Sequence, residues 1–263
     1  MPEITGPQVG HFCWFELGTT DQAAAKEFYS SLFGWTWNEF PMGPDSFYTM
    51  FQLGGKDVGA AYTLQPEQKA QGVPPHWMTY VAVTSADDAA ARAASLGGTV
   101  LAPAFDVFDV GRMAVIQDPT GATISVWQAK KHFGVRVYAE LNAFGWSELL
   151  TRDTSAATKF YTGLFGWGMM VSTGMGSPYT HWRVDGKDIG GMMAINECMG
   201  PIPPHWMNYI SVPNCDETVA KATSLGGKAV FPPMDVPNVG RFAGIQDPQG
   251  AVLSVITLVP MHK

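Results

Sequence analysis

Apolar and polar positions along the chain switch between two periods. Residues 11–17 alternate as a half-buried strand, and residues 21–32 then repeat at helical spacing, with Asp21 as N-cap and Gly34 as the stop. Residues 48–53 and 58–64 read as strands on either side of the turn Gly54-Gly55-Lys56-Asp57. A further strand is predicted at 77–84, an alanine-rich helix at 86–96 ending on Gly97-Gly98, and three short strands at 99–102, 112–117 and 122–128. The second half repeats the pattern, with helices at 153–164 and 216–225.

The repetition extends to residue identity. Phe28-Tyr29-Ser30-Ser31-Leu32-Phe33-Gly34-Trp35 returns as Phe160-Tyr161-Thr162-Gly163-Leu164-Phe165-Gly166-Trp167, an offset of 132. Gly55-Lys56-Asp57-Val58-Gly59 returns as Gly186-Lys187-Asp188-Ile189-Gly190, an offset of 131. Pro74-Pro75-His76-Trp77-Met78 and the pair Gly111-Arg112 with Ile116-Gln117-Asp118-Pro119 return at an offset of 129. An ordered repeat whose offset drifts by small steps implies two homologous domains with shortened loops. We expect them at 1–130 and 142–263, joined by a linker at 131–141, and the period is too long for a solenoid.

Composition narrows the function classes. With 46% hydrophobic and 15% charged residues the chain has enough apolar surface to build cores and is not a disordered polymer. Its net charge of −7, with no basic cluster beyond Lys130-Lys131-His132 and Arg136, argues against a nucleic-acid partner. The absence of an apolar run of about 18 residues argues against a membrane span. The opening Met1-Pro2-Glu3-Ile4-Thr5-Gly6-Pro7 lacks the features of a secretory leader, and three unpaired cysteines, Cys13, Cys198 and Cys215, suit a reducing compartment. A cytoplasmic monomer or homodimer with a small-molecule ligand is the expectation.

The strand, the Asp-capped helix ending Phe-Tyr-x-x-Leu-Phe-Gly-Trp, the Leu-Gly-Gly after the second helix and the closing Asp-Pro-x-Gly resemble the vicinal oxygen chelate superfamily of glyoxalases, extradiol dioxygenases and bleomycin-resistance proteins. The likeness covers nearly the whole chain. It is similar in particular to two-domain glyoxalase-like proteins of actinobacteria, of the mycobacterial culture-filtrate antigen and streptomycete hydroxylase type. The resemblance implies an α+β fold in which each domain is a pair of βαβββ units forming a half-open barrel with helices outside. It also implies a divalent ion held in each barrel by a His, a His and a Glu on three strands. The matching positions here are Trp14, Met78 and Ser125 in the first copy and Trp146, Met207 and Ser254 in the second. Indole, thioether and hydroxyl groups are not the imidazole, carboxylate or thiolate that Zn²⁺, Mn²⁺ or Fe²⁺ takes. A metal at the usual site is therefore not expected, nor is another cofactor, while a metal held by unexpected residues such as His181 with Glu148 stays an open alternative.

Strand alternation suggests which groups line the barrels instead. The face carrying Cys13, Phe15 and Leu17 is the more apolar and should pack beneath the helix, leaving Trp14 and Glu16 inward, with Trp146 and Glu148 as their counterparts. A carboxylate beside an indole in an apolar barrel is a candidate general base; a solvated carboxylate at a strand end is the alternative. His76, Met78 and Tyr80 share a face, as do His205, Met207 and Tyr209, so a His-Tyr-Glu set could bind a polar ligand. Equally, Pro-Pro-His-Trp could simply end a strand while Trp77 fills a domain seam.

The copies differ on one strand, where Met50 is matched by His181 and Gln52 by Arg183. At most one of His181 and Arg183 is expected to reach Glu148, and a Glu148–His181 hydrogen bond is the sharper expectation. Arg112 and Arg241 either face an anionic ligand or pair with carboxylates. The leading reading is an enzyme of lyase, isomerase or oxygenase type that uses Glu16, Glu148 and His181 on a small carbonyl or aromatic metabolite. A non-catalytic protein that sequesters such a molecule is the alternative.

Overall fold

The computed structural model describes residues 3–44, 46–173 and 177–259. Its first half runs β1 (Phe12–Thr19), α1 (Gln22–Phe33), β2 (Thr36–Gly43), β3 (Ser46–Leu53), β4 (Lys56–Thr63), α2 (Pro66–Ala70), β5 (His76–Ala82), α3 (Ala86–Ser95), β6 (Thr99–Val107), β7 (Gly111–Gln117) and β8 (Thr123–Ala129). The second half runs β9 (Phe144–Thr151), α4 (Thr154–Phe165), β10 (Gly168–Ser172), β11 (Tyr179–Val184), β12 (Lys187–Ala194), β13 (His205–Ser211), α5 (Cys215–Ser224), β14 (Lys228–Val236), β15 (Gly240–Gln246) and β16 (Val252–Leu258).

Each half makes its own eight-stranded sheet, in the order β2-β3-β4-β1-β5-β8-β7-β6 and β10-β11-β12-β9-β13-β16-β15-β14. Within a sheet, two βαβββ units meet along the antiparallel pair β1–β5 or β9–β13, and the crossovers β1–β4 and β5–β8 are parallel. This is the tandem α+β half-barrel architecture that the resemblance implies. Strand β2 escaped the sequence reading because, as an edge strand, it is exposed along nearly its whole length and shows no period-2 burial. The helices start and stop as their caps dictate. The Asp21 carboxylate accepts from the Ala24 N–H and Asp153 from that of Ala156, while Gly34 and Gly166 end α1 and α4 in the left-handed conformation.

The halves meet through a twofold-like set of buried contacts. The Tyr29 phenol on α1 donates to Asp247 Oδ2 at 2.8 Å and accepts the Trp77 indole N–H at 3.0 Å. In mirror fashion Tyr161 on α4 donates to Asp118 Oδ2 at 2.9 Å and accepts from Trp206 at 2.9 Å. Each aspartate also folds its own turn, with Asp118 Oδ1 accepting from Thr120 and Ala122 and Asp247 Oδ1 from Gln249, Gly250 and Ala251. Trp35 and Trp167 each donate across the seam to a backbone carbonyl, of Asn142 and Gly10, at 2.7 Å.

The stretch expected as a linker lies against the first half. The Val135 N–H bonds the Cys13 carbonyl, the Arg136 N–H bonds that of Asp57, and Val135 and Val137 are buried. Gly134 is required there, because at φ +116° a Cβ would stand 2.0 Å from the Cys13 carbonyl oxygen.

Candidate functional site

Register brings the inward residues of three strands together. In the first sheet Trp14 opposes Tyr80, Glu16 opposes Met78, Gly18 opposes His76, and Tyr80 in turn pairs with Ser125. The second sheet repeats this with Trp146 and Tyr209, Glu148 and Met207, and Tyr209 and Ser254. Of the residues singled out from the sequence, Trp14, Glu16, Met78, Tyr80 and Ser125 thus share one concave face, and Trp146, Glu148, Met207, Tyr209 and Ser254 the other.

Each glutamate is held by two phenols. Tyr48 donates to Glu16 Oε1 and Tyr80 to Glu16 Oε2, both at 2.7 Å. Tyr179 donates to Glu148 Oε2 at 2.7 Å and Tyr209 to Oε1 at 3.2 Å. The indoles act one step back, Trp14 donating to the Tyr48 oxygen and Trp146 to the Tyr179 oxygen, both at 3.0 Å. Tyr48 and Tyr179 were missed by the sequence reading, which weighed the Met50/His181 difference two residues further on and passed over the tyrosine present in both copies. Tyr179 packs over Gly191 of β12, where a Cβ would lie 1.9 Å from the phenol oxygen, whereas in the first half Ala60 stands at that place and Tyr48 still bonds Glu16.

The electrostatics follow from burial. Glu148 is 6% exposed and Glu16 half-buried, and desolvation raises both carboxyls above the usual range although the phenols pull the other way. The same burial, with the adjacent carboxylate, pushes Tyr48, Tyr80, Tyr179 and Tyr209 upward, so these phenols stay protonated donors.

His181 is not where it was expected. It lies on the same strand as Tyr179, their rings 5.0 Å apart, but hydrogen-bonds Ser172 Oγ through Nε2 at 3.1 Å and sets Nδ1 3.2 Å from Asp188 Oδ2. Arg183, two residues on and across a bulge, places Nε 2.9 Å from the other oxygen of Asp188. Both side chains therefore converge on Asp188 and not on Glu148, in ion-pair contacts that leave His181 Nδ1 and Arg183 Nε without a hydrogen bond. His76 and His205 bond the carbonyls of Pro74 and Pro203 at 2.8 Å, so no histidine hydrogen-bonds either glutamate among the described residues. Arg112 pairs with Asp87 and Asp106, and Arg241 with Asp216 and Asp235. One further residue, His132, sits edge-on to Trp14 at 4.5 Å, delivered by the segment after β8.

Clefts of about 370 and 270 Å³ lie one against Gly10, Met169 and Arg183 and the other against Asp57, His132 and Arg136. Among the described residues no three His, Cys, Asp or Glu side chains converge as metal ligands, and each glutamate already accepts from two phenols. This donor set does not fit a divalent ion. Protein incubated with Mn²⁺ or Zn²⁺ and then dialysed is expected to keep a substoichiometric amount, with an unchanged melting temperature. One tightly retained ion per domain by elemental analysis is the contrary result.

The Glyoxalase/Bleomycin resistance protein/Dioxygenase superfamily model matches residues 8–126 and 143–255. The chain belongs to this superfamily. It is 40% identical to the "Putative glyoxylase CFP32" of Mycobacterium tuberculosis over the full length of both chains. It is 34% identical to the anthracycline biosynthesis protein DnrV of Streptomyces peucetius, over 93% of this chain and 92% of that one. Among solved structures, the Mn(II)-bound glyoxalase from Novosphingobium aromaticivorans aligns over 95% of this chain and 82% of its own, with TM-score 0.62 and 15% identity. The 2,3-dioxygenase LapB from Pseudomonas sp. KL28 aligns over 98% and 97%, with TM-score 0.61 and 12% identity. These two likenesses show the fold. No helix among the described residues is long and apolar enough to cross a membrane.

Proposed function

We propose that this superfamily member binds a small carbonyl-bearing or aromatic metabolite on the concave face of its half-barrels without a metal, and that Glu148 moves a proton on it. The observation that carries the reading is a buried carboxyl bracketed by the Tyr179 and Tyr209 phenols. A carboxylate with a raised pKa can take a proton from the carbon next to a ligand carbonyl. A phenol freed from the carboxylate as it becomes neutral then donates to the enolate oxygen that forms. Glu16 with Tyr48 and Tyr80 is the equivalent set in the first half. We assign the halves to residues 1–130 and 142–263, joined by 131–141, and take the protein as a cytoplasmic monomer or homodimer.

The test is native mass spectrometry of the purified chain for a co-purifying molecule, followed by NMR of α-proton exchange into deuterated water on a panel of small ketones and aldehydes. Catalysed exchange is expected. Sequestration is the second reading. It is supported by the Trp and Tyr lining and by relatives named as anthracycline biosynthesis proteins. Stoichiometric binding without exchange would favour it.

A further inference from the structure

The second half carries a group of side chains that the glutamate site does not use. Ser172 ends β10, His181 lies on the neighbouring β11, and Asp188 lies on β12. Their polar atoms are in series: Ser172 Oγ is 3.1 Å from His181 Nε2, and His181 Nδ1 is 3.2 Å from Asp188 Oδ2. Arg183 Nε forms an ion-pair contact with the other Asp188 oxygen at 2.9 Å. A histidine protonated on Nδ1 keeps that nitrogen 3.2 Å from the carboxylate, within ion-pair reach though off hydrogen-bond alignment, and leaves Nε2 to accept the serine proton, the order in which a hydroxyl becomes a nucleophile.

The first half shows that the fold does not need this group. By register Phe40 opposes Tyr48 as Ser172 opposes Tyr179, and Asp57 opposes Gln52 as Asp188 opposes Arg183. The first-half counterparts of Ser172, His181 and Asp188 are thus Phe40, Met50 and Asp57. Hydroxyl and imidazole are both absent there, and the strands pair in the same order. The serine and histidine side chains are half-buried, and the His181 ring lies 5.0 Å from that of Tyr179 and 6.4 Å from that of Trp146.

We infer that Ser172, His181 and Asp188 form a nucleophile, base and carboxylate relay at the lip of the second concave face, an acyl-transfer site for short-chain aryl esters. The aryl group would rest on the neighbouring Tyr179 and Trp146 rings. Ser172 Oγ attacks the ester carbonyl carbon while its proton passes to His181 Nε2. The tetrahedral adduct breaks its bond to the aryloxide, which leaves with that proton as a phenol. Water then adds to the acyl-serine, His181 takes and returns its proton, and the carboxylic acid departs with Ser172 restored.

The experiment exposes the full-length protein to a fluorophosphonate probe and maps the adduct by peptide mass spectrometry. A single adduct on Ser172 is expected, absent in Ser172→Ala. In His181→Met, which installs the first-half residue, and in His181→Gln the labelling rate should fall by about a hundredfold or more, as loss of a general base requires. Circular dichroism confirms that each variant is folded before its rate is compared. No adduct on Ser172 in the wild-type protein, an adduct elsewhere, or an undiminished rate in a folded His181 variant would overturn the assignment. The probe reads Ser172 directly, so its outcome is separable from that of the proton exchange proposed for Glu148.

Discussion

Glu148→Gln is expected to abolish proton exchange on the ligand and at the same time to stabilise the protein at neutral pH. Loss of a positioned general base costs about 10² to 10⁴ in rate. The stability gain follows from linkage. Burial raises the Glu148 carboxyl above its unfolded value of 4.5, so the folded chain holds this proton more tightly than the unfolded chain. Below pH 4.5 both states are protonated and the group costs nothing by ionisation. As pH rises from 4.5 through the folded value, the unfolded state ionises first, and the stability contributed by the neutral, phenol-bonded carboxyl is lost. Gln does not ionise, so the variant should show no such decline, and urea midpoints measured from pH 4 to 8 should diverge from wild type in the upward direction. Equal midpoints across the range together with unaltered exchange would remove Glu148 from the mechanism. Glu16→Gln, whose carboxyl is raised by the same cause, tests the first half in the same way.

The division between what the sequence shows and what it hides runs along strand register. Alternation on β1 was enough to turn Trp14 and Glu16 inward, and the repeat was enough to duplicate them as Trp146 and Glu148. Neither tells which residue of β3 or β11 lies opposite. Tyr48 reaches Glu16 because β3 pairs with β4, and β4 with β1, in a register that sets Met50, Ala60 and Glu16 side by side. That register is a property of the assembled sheet. The same limit explains His181. Its strand was readable but not its face, and Asp188 is brought to it by a bulge between Trp182 and Arg183 that no local pattern marks. At the seam, Tyr29 and Asp118 were both visible as repeated residues, and the Asp-Pro turns were read as turns. That each tyrosine crosses to the other half's aspartate, over 218 residues in one case and 43 in the other, is dictated by how the two barrels face each other.

Asp247→Ala should lower stability by on the order of 3 kcal/mol, because it strips partners from a buried phenol and from the N–H groups of Gln249, Gly250 and Ala251 together. For a chain of this length that is a melting temperature roughly 10 °C lower. Tyr29→Phe removes one hydroxyl but two hydrogen bonds, to Asp247 and from Trp77, and should cost about 1–2 kcal/mol. If the phenol and carboxylate act on each other as their 2.8 Å separation implies, the double variant will cost less than the sum of the singles, a coupling that urea denaturation of the four proteins measures. Strict additivity would mean that Asp247 serves its own turn alone. The mirrored Tyr161–Asp118 contact supplies a second cycle. Since each tyrosine stands on one half and its aspartate on the other, weakening both contacts in Tyr29→Phe/Tyr161→Phe acts on the adhesion of the halves while leaving each sheet intact. The wild-type protein is then expected to unfold in one transition and the double variant in two, the order being set by which eight-stranded sheet is the less stable alone.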